Sequence, residues 1–275
     1  MLFGAIIGDI VGSKYEFDNI RTKDFLFFEN DMFFTDDTVM SIAVFEALKN
    51  TRENNYTNLK EETVRQLKKY GRMYPNCSYG VRFRHWLISD EPQPYNSYGN
   101  GSAMRISSVG YFANSIDEVK KLSRVISEVS HNHPEGVKGA EATAIAIYMA
   151  LNKKSKSEIK EYIEKNYYSL DFEYEELVKN YRFNETCQDT VPQALYCFFI
   201  SDSFEDAIRC GISIGGDSDT LCAIVGSIAE AYYGVDREMM KRVSYYLDDF
   251  LLEKLYDSQE FEKLLNKDIL KAPKC

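Results

Sequence analysis

Two short runs of the sequence concentrate oxygen donors where helices begin. Thr35-Asp36-Asp37-Thr38 and Gly215-Gly216-Asp217-Ser218-Asp219-Thr220 each stand directly before an apolar helical pattern. As caps, these side chains accept hydrogen bonds from the unpaired amides of a first helical turn and sit well at the positive end of the helix dipole. As ligands, they offer the hard oxygens that Mg²⁺, Mn²⁺ or Ca²⁺ prefer. One cap needs one side chain, yet each run carries two carboxylates and a flanking hydroxyl, and Gly215-Gly216 lets the chain turn so that Asp217 and Asp219 both point inward. Glu16, after the glycine-rich Gly8-Asp9-Ile10-Val11-Gly12-Ser13, is a further acidic candidate. If Glu16, Asp36, Asp37, Asp217 and Asp219 converge, some must take up protons unless about four positive charges offset them. Two divalent cations supply that charge and can activate water, so the pattern points to metal-assisted hydrolysis.

A second set of residues fits anion recognition. Gly99-Asn100-Gly101-Ser102 can turn successive amides toward one point as phosphate nests do, although Asn-Gly is equally a common turn. Ser130-His131 stands at a helix end, where a dipole partner is the commoner role. Arg105 suits either a phosphate or a buried carboxylate. Zinc chemistry finds no support in three histidines without a Cys or His cluster, and Ser/His/Asp, Cys/His, Walker and dinucleotide-binding patterns are absent.

The elements that must position these residues read as helices. Met40, Ala43, Val44, Ala47 and Leu48 recur at helical spacing after Asp37, and similar faces run through Leu122–Val129, Ala140–Leu151 and Leu221–Tyr232. The helices around 137–151 and 219–233 are rich in Ala and Gly and carry few charges, which makes them central ones. Met1 to Ile7 reads as a buried element rather than a leader. Phe25–Phe28 and Met32–Phe34, flanking Glu29-Asn30-Asp31, predict at most a short hairpin. The stretch from Asp90 to Ser102 is too rich in Pro and Gly for regular structure, and a loop of that length is often functional. A net charge of −10 and a pI near 5.0 exclude a broad nucleic-acid or anionic-membrane footprint. Six cysteines without a CxxC pair (Cys77, Cys187, Cys197, Cys210, Cys222 and Cys275) favour a reducing, cytoplasmic setting.

Taken in order, Gly8-Asp9-Ile10-Val11-Gly12-Ser13-Lys14-Tyr15-Glu16, Phe34-Thr35-Asp36-Asp37-Thr38, Gly99-Asn100-Gly101-Ser102-Ala103-Met104-Arg105, Ser130-His131 with Gly139-Ala140, and Gly215-Gly216-Asp217-Ser218-Asp219-Thr220 resemble the ADP-ribosylglycohydrolases, relatives of dinitrogenase-reductase-activating glycohydrolase. The resemblance implies one compact, orthogonal all-α domain over residues 1–275 with two Mg²⁺ ions in a cleft, Mn²⁺ being an acceptable substitute. It implies metal ligation by Thr35, Asp36, Asp37, Asp217, Asp219 and Thr220. It further implies ADP-ribose contacts from Gly99, Asn100, Gly101, Ser102 and His131, and proton transfer by Glu16 or Asp36. Ser97 departs from the pattern: some members carry an aspartate there, and a mechanism resting on that carboxylate does not transfer. The expected reaction is hydrolysis of the bond linking ADP-ribose to a protein side chain, arginine or serine, or to a small molecule. The expected partner is an ADP-ribosylated protein, with no membrane and a monomer favoured. A catalytically silent ADP-ribose binder and a two-metal phosphoesterase are the alternatives.

Overall fold

A computed structural model describes residues 1–271; Cys275 lies outside them. Fifteen α-helices follow one another among the described residues: α1 (Phe3–Ser13), α2 (Asp36–Thr51), α3 (Leu59–Met73), α4 (Val81–Ile88), α5 (Gly101–Met104), α6 (Val109–Phe112), α7 (Ile116–Ser127), α8 (Pro134–Leu151), α9 (Lys156–Asn166), α10 (Tyr174–Asn180), α11 (Cys187–Ile200), α12 (Phe204–Ile214), α13 (Ser218–Tyr233), α14 (Arg237–Val243) and α15 (Asp249–Lys271). Four of these, α2, α7, α8 and α13, are the helices that the apolar spacing predicts. The fold is all-α, and no strand forms among the described residues beyond a single bridge between Gly99 and Thr186.

The expected hairpin does not form. Residues 25–34 are irregular, with one turn from the Met32 amide to the Glu29 carbonyl at 3.2 Å. The backbone acceptors that a ladder would use are taken by a side chain, since Arg209 Nη1 donates to the carbonyls of Lys23 and Phe25, both at 2.8 Å. Phe25 and Phe27 pack against that guanidinium at 4.7 and 5.4 Å instead of alternating across a sheet.

What brings the acidic runs together is the close approach of α1 to α13. A Cβ added at Gly4 would lie 2.1 Å from the Gly226 carbonyl oxygen, one at Gly8 1.9 Å from that of Cys222, and one at Gly12 2.4 Å from that of Ser218. Glycines every four residues therefore give α1 a bare face that rests on the backbone of α13. Every residue of α1 is buried, as is α13 from Ser218 to Ala229. The core around them is continuous from Met1 to Leu265. No helix is long and apolar enough to cross a membrane.

Replacing Gly8 with Ala tests this contact directly. Overpacking against backbone should cost about 3 kcal/mol and lower the melting temperature by roughly 5–10 °C. An unchanged melting temperature would show that α1 and α13 do not pack this closely.

Candidate functional site

Asp9, in the middle of α1, organises the first acidic run from across the helix interface. It is fully buried and accepts from the amides of Thr35 and Thr38 at 2.9 and 3.0 Å, from Thr35 Oγ1 at 2.7 Å, and from the Thr38 hydroxyl. Thus α2 receives its cap from another helix as well as from Thr35, whose Oγ1 accepts from the Asp37 amide at 3.3 Å. The second run is arranged differently. Gly215 and Gly216 hold φ of +69° and +88°, conformations that only glycine adopts readily, and both amide and carbonyl of Gly216 are held by Asn19 at 2.8 and 2.9 Å. Asp217 then occupies the N-cap position of α13 without making a capping bond, so its carboxylate is available. It accepts from Asn100 Nδ2 at 2.7 Å.

Two carboxylate triads result. Asp9, Asp37 and Asp219 place oxygens within 4.8 Å of one another, and so do Glu16, Asp217 and Asp219. Asp219 belongs to both. Thr220 Oγ1 donates to Asp37 Oδ2 at 3.1 Å, while the buried Asp37 Oδ1 has no hydrogen-bond partner. Burial, and then mutual repulsion, raise these groups. Asp36 is pushed up to about 8 by burial and by Asp219 and Asp9. Glu16 is pushed up to about 8 by burial, Asp219 and Asp36. Burial raises Asp217 to about 7 against the hydrogen bonds from Asp219 and Asn100, and raises Asp9 to about 6 against its hydroxyl and amide donors. Asp37 and Asp219 are also held well above the ordinary carboxylate value, again through burial first, then through their neighbours' charge. The donor set is all hard oxygen, one buried oxygen is orphaned, and among the described residues Arg105 offsets only part of the repulsion, at Asp36. Those features fit divalent cations such as magnesium.

All of the triad carboxylates except the buried Asp9 line a cavity of about 720 Å³. Glu16, Asp36, Asp37, Asp217, Asp219, Thr220, Gly99, Asn100, Gly101 and His131 line it. Thr35 and Ser102 do not. Thr35 is committed to Asp9, and Ser102 Oγ points away to the Gly136 carbonyl on α8 at 2.7 Å. Nor is Gly99-Asn100-Gly101-Ser102 a nest of converging amides. The Asn100 amide donates to the Glu185 carbonyl at 2.8 Å, that of Ser102 to Gly99 at 3.5 Å, and that of Gly99 to Ser97 Oγ at 3.2 Å. What the segment contributes is the Asn100 side chain and two bare positions: a Cβ at Gly99 or Gly101 would lie 3.5 or 3.4 Å from His131 Nε2.

Arg105 forms no ion pair among the described residues, although its charge acts on Asp36. It is buried, its guanidinium lies 5.3 Å over the Phe83 ring, and its Nη2 donates to Ser130 Oγ at 2.8 Å. Ser130 Oγ is in turn 2.8 Å from His131 Nδ1, the only acceptor its own proton meets among the described residues. Arginine cannot accept, so the relay runs Arg105 to Ser130 to His131 and leaves Nδ1 as acceptor and Nε2 carrying the hydrogen toward the cavity. Burial, Arg105 and Arg82 hold His131 well below its ordinary range, hence neutral. A larger cleft of about 990 Å³ opens beside Met1 and Tyr233, but its carboxylates, Glu230 and Glu262, both pair with the Met1 amine.

The role of Asp9, the direction of the Arg105–Ser130 relay and the loop carrying Phe183 and Glu185 are the site features that the sequence pattern did not assign. Asp9 had a signal, the Gly4-Gly8-Gly12 spacing around it. Phe183 and Glu185 had none, being polar-loop residues 30 or more positions from any motif.

Comparison with known proteins agrees with the geometry. The ADP-ribosylglycohydrolase family model matches residues 1–272, and the chain belongs to that family. Among its relatives are human ADP-ribosylhydrolase ARH3, 27% identical over 86% of this chain and 85% of the relative. ADP-ribosyl-[dinitrogen reductase] glycohydrolase of Rhodospirillum rubrum is 26% identical over 74% and 69%, and ADP-ribosylarginine hydrolase Tri1 of Pseudomonas putida 26% over 99% and 77%. A solved ADP-ribosylglycohydrolase-related protein complex shares the fold with a TM-score of 0.66, at 20% identity over 93% of this chain and 95% of that one. The activity class is hydrolysis of a glycosyl bond.

The relay makes a spectroscopic prediction. In ¹⁵N-labelled protein at pH 6, His131 should appear neutral with its hydrogen on Nε2, and Ser130→Ala should mix the tautomers. A charged His131 at that pH would contradict the arrangement.

Proposed function

We propose that this chain is a magnesium-dependent hydrolase that cuts ADP-ribose from a modified protein side chain, arginine or serine, or from a small molecule. The observation that carries the proposal is the pair of carboxylate triads sharing Asp219 on the floor of a cavity large enough for one nucleotide. Asp37, Asp219 and Thr220, with Asp9 behind them, would hold one ion, and Glu16, Asp217 and Asp219 a second. Asp36 lines the cavity beside them, and Thr35 acts through Asp9. When bound, two Mg²⁺ ions would offset the buried negative charge and polarise water and ribose hydroxyls at the anomeric carbon; Mn²⁺ has the same ligand preference.

The protein's own residues divide the remaining work. Asn100 fixes the Asp217 carboxylate through Nδ2 and so sets its free oxygen toward the cavity. His131, neutral and held by Ser130, offers Nε2–H to an ADP-ribose oxygen. In hydrolysis a water oxygen bonds to the anomeric carbon, the bond to the leaving group breaks, and the water's proton passes to the departing atom. Glu16 is the proposed carrier of that proton, since it belongs to one triad only and is the least committed of the clustered carboxylates. Asp36 is the second candidate. The five free thiols among the described residues suit a reducing compartment, and a cytoplasmic setting is part of the proposal.

Chromatographic detection of ADP-ribose released from arginine-linked and serine-linked peptides tests the reading. Magnesium-dependent release of intact ADP-ribose is expected; inorganic phosphate as the product, or binding without turnover, would overturn it. Asp219→Asn should lower kcat by more than about 10³ and abolish the thermal stabilisation by magnesium together.

The pKa pattern adds a sign. Carboxyls whose folded values rise above the unfolded ones stabilise the metal-free fold most below about pH 4, and lose that contribution as pH rises through 6 to 8. Cations compete with the same protons, so their stabilisation grows across that window. Magnesium at 100 times its Kd should add about 2.7 kcal/mol per site at pH 8. At pH 6 the same concentration should add distinctly less in differential scanning calorimetry, and an equal gain at both pH values would contradict the shifts.

A further inference from the structure

Two loops meet at the mouth of the cavity, above the second triad. The one after α1 carries Glu16 and Phe17, and the one before α11 carries Phe183 and Glu185; all four side chains line the cavity. Phe17 is 83% exposed and Phe183 44% exposed, and their rings stack on each other with centroids 6.0 Å apart and planes at 26°. An exposed aromatic pair at a cavity mouth is a surface awaiting a partner. The charge around it is negative. Glu185 is exposed, makes no ion pair among the described residues, and adds its charge to the field on Glu16 and Asp217. Among the described residues Arg182 forms no ion pair with it; its Nη1 donates to the carbonyls of Lys179 and Tyr181, each at 2.8 Å. The cations that line the cavity stand on another wall, Arg82 over Tyr95 at 4.7 Å and Arg105 over Phe83. That wall suits a diphosphate. The mouth repels one.

We infer that Phe17, Phe183 and Glu185 form the leaving-group subsite and select a planar cation, the guanidinium of an ADP-ribosylated arginine. The inference rests on the glycohydrolase reading and narrows it to one linkage. A guanidinium stays planar and charged when one nitrogen carries the ribose, so it can lie against a phenyl face while its fork meets a carboxylate. A serine ether has neither the charge nor the plane, and an adenine ring would gain the stacking but would bring its diphosphate toward Glu16 and Glu185. Hydrolysis of this linkage balances simply: the C–N bond breaks with its electron pair going to nitrogen, water supplies the new C–O bond, and the water's proton restores the guanidinium.

The test uses the full chain with magnesium and two peptides of one sequence, ADP-ribosylated on arginine or on serine. The wild type should show a kcat/KM for the arginine linkage at least about tenfold above that for serine, and Glu185→Gln and Phe183→Ala should each reduce that ratio by about tenfold. The loss in Glu185→Gln should fall mainly on KM and shrink in high salt. Both residues are at the surface, so both variants should fold. A wild type that prefers serine overturns the inference while leaving the hydrolase reading intact. So does an unchanged ratio with both linkages weakened equally, which would assign the rings to the adenine instead. No release of ADP-ribose from either peptide by the wild type would overturn the hydrolase reading, and this subsite with it.

Discussion

Like charges held out of water govern this structure. Asp9, Asp36, Asp37, Asp217 and Asp219 are each less than a tenth exposed, and Glu16 joins them at the cavity's edge. No ordinary fold tolerates so many carboxylates in contact without protons or cations to offset them. The surrounding architecture is arranged to create that convergence. Gly4, Gly8 and Gly12 let α1 descend onto α13, which brings Asp9 and Glu16 to Asp219. Asp9 then grips the start of α2 and draws Asp37 into the same space. Gly215 and Gly216 reverse the chain so that α13 begins with Asp217 facing inward. A fold selected only for stability would have apolar residues at these points, since a buried charged cluster is a poor source of stability and a good means of holding a hard cation.

Around that floor the walls divide by charge. Arg105 rests its guanidinium on Phe83 and Ser130 and forms no ion pair among the described residues, so its charge reaches His131 and, more weakly, Asp36. The acidic mouth at Glu16 and Glu185 opposes the cationic wall at Arg82 and Arg105. A ligand that is anionic at one end and cationic at the other is oriented by such a cavity before any contact is made.

Much of this was legible in the sequence, and the reason is local. Helical spacing announced α2, α7, α8 and α13, and the scarcity of charge in α8 and α13 announced their central place. The two acidic runs declared themselves by redundancy, because each held more oxygen donors than a cap uses. What stayed hidden depends on contacts between distant segments. Asp9 looked like part of a glycine-rich turn because its partners, Thr35 and Thr38, lie 26 and 29 residues on. Ser102 looked like a cavity residue and is turned to α8, a choice made by the crossing of two helices and not by any local pattern. Phe25 and Phe27 read as strand because aromatic runs favour sheets, yet Arg209 from α12 captured both their rings and the Phe25 carbonyl.

The central claim is that the buried carboxylates are a seat for two divalent cations, with protons standing in when the cations are absent. Titrating magnesium into the metal-free protein by calorimetry at pH 7, in two buffers of different ionisation enthalpy, measures both quantities at once. The account predicts two ions bound per chain and more than one proton released as they bind, because Asp36, Asp217 and Glu16 titrate near or above that pH. Saturation without proton release, or no binding at all, would contradict it.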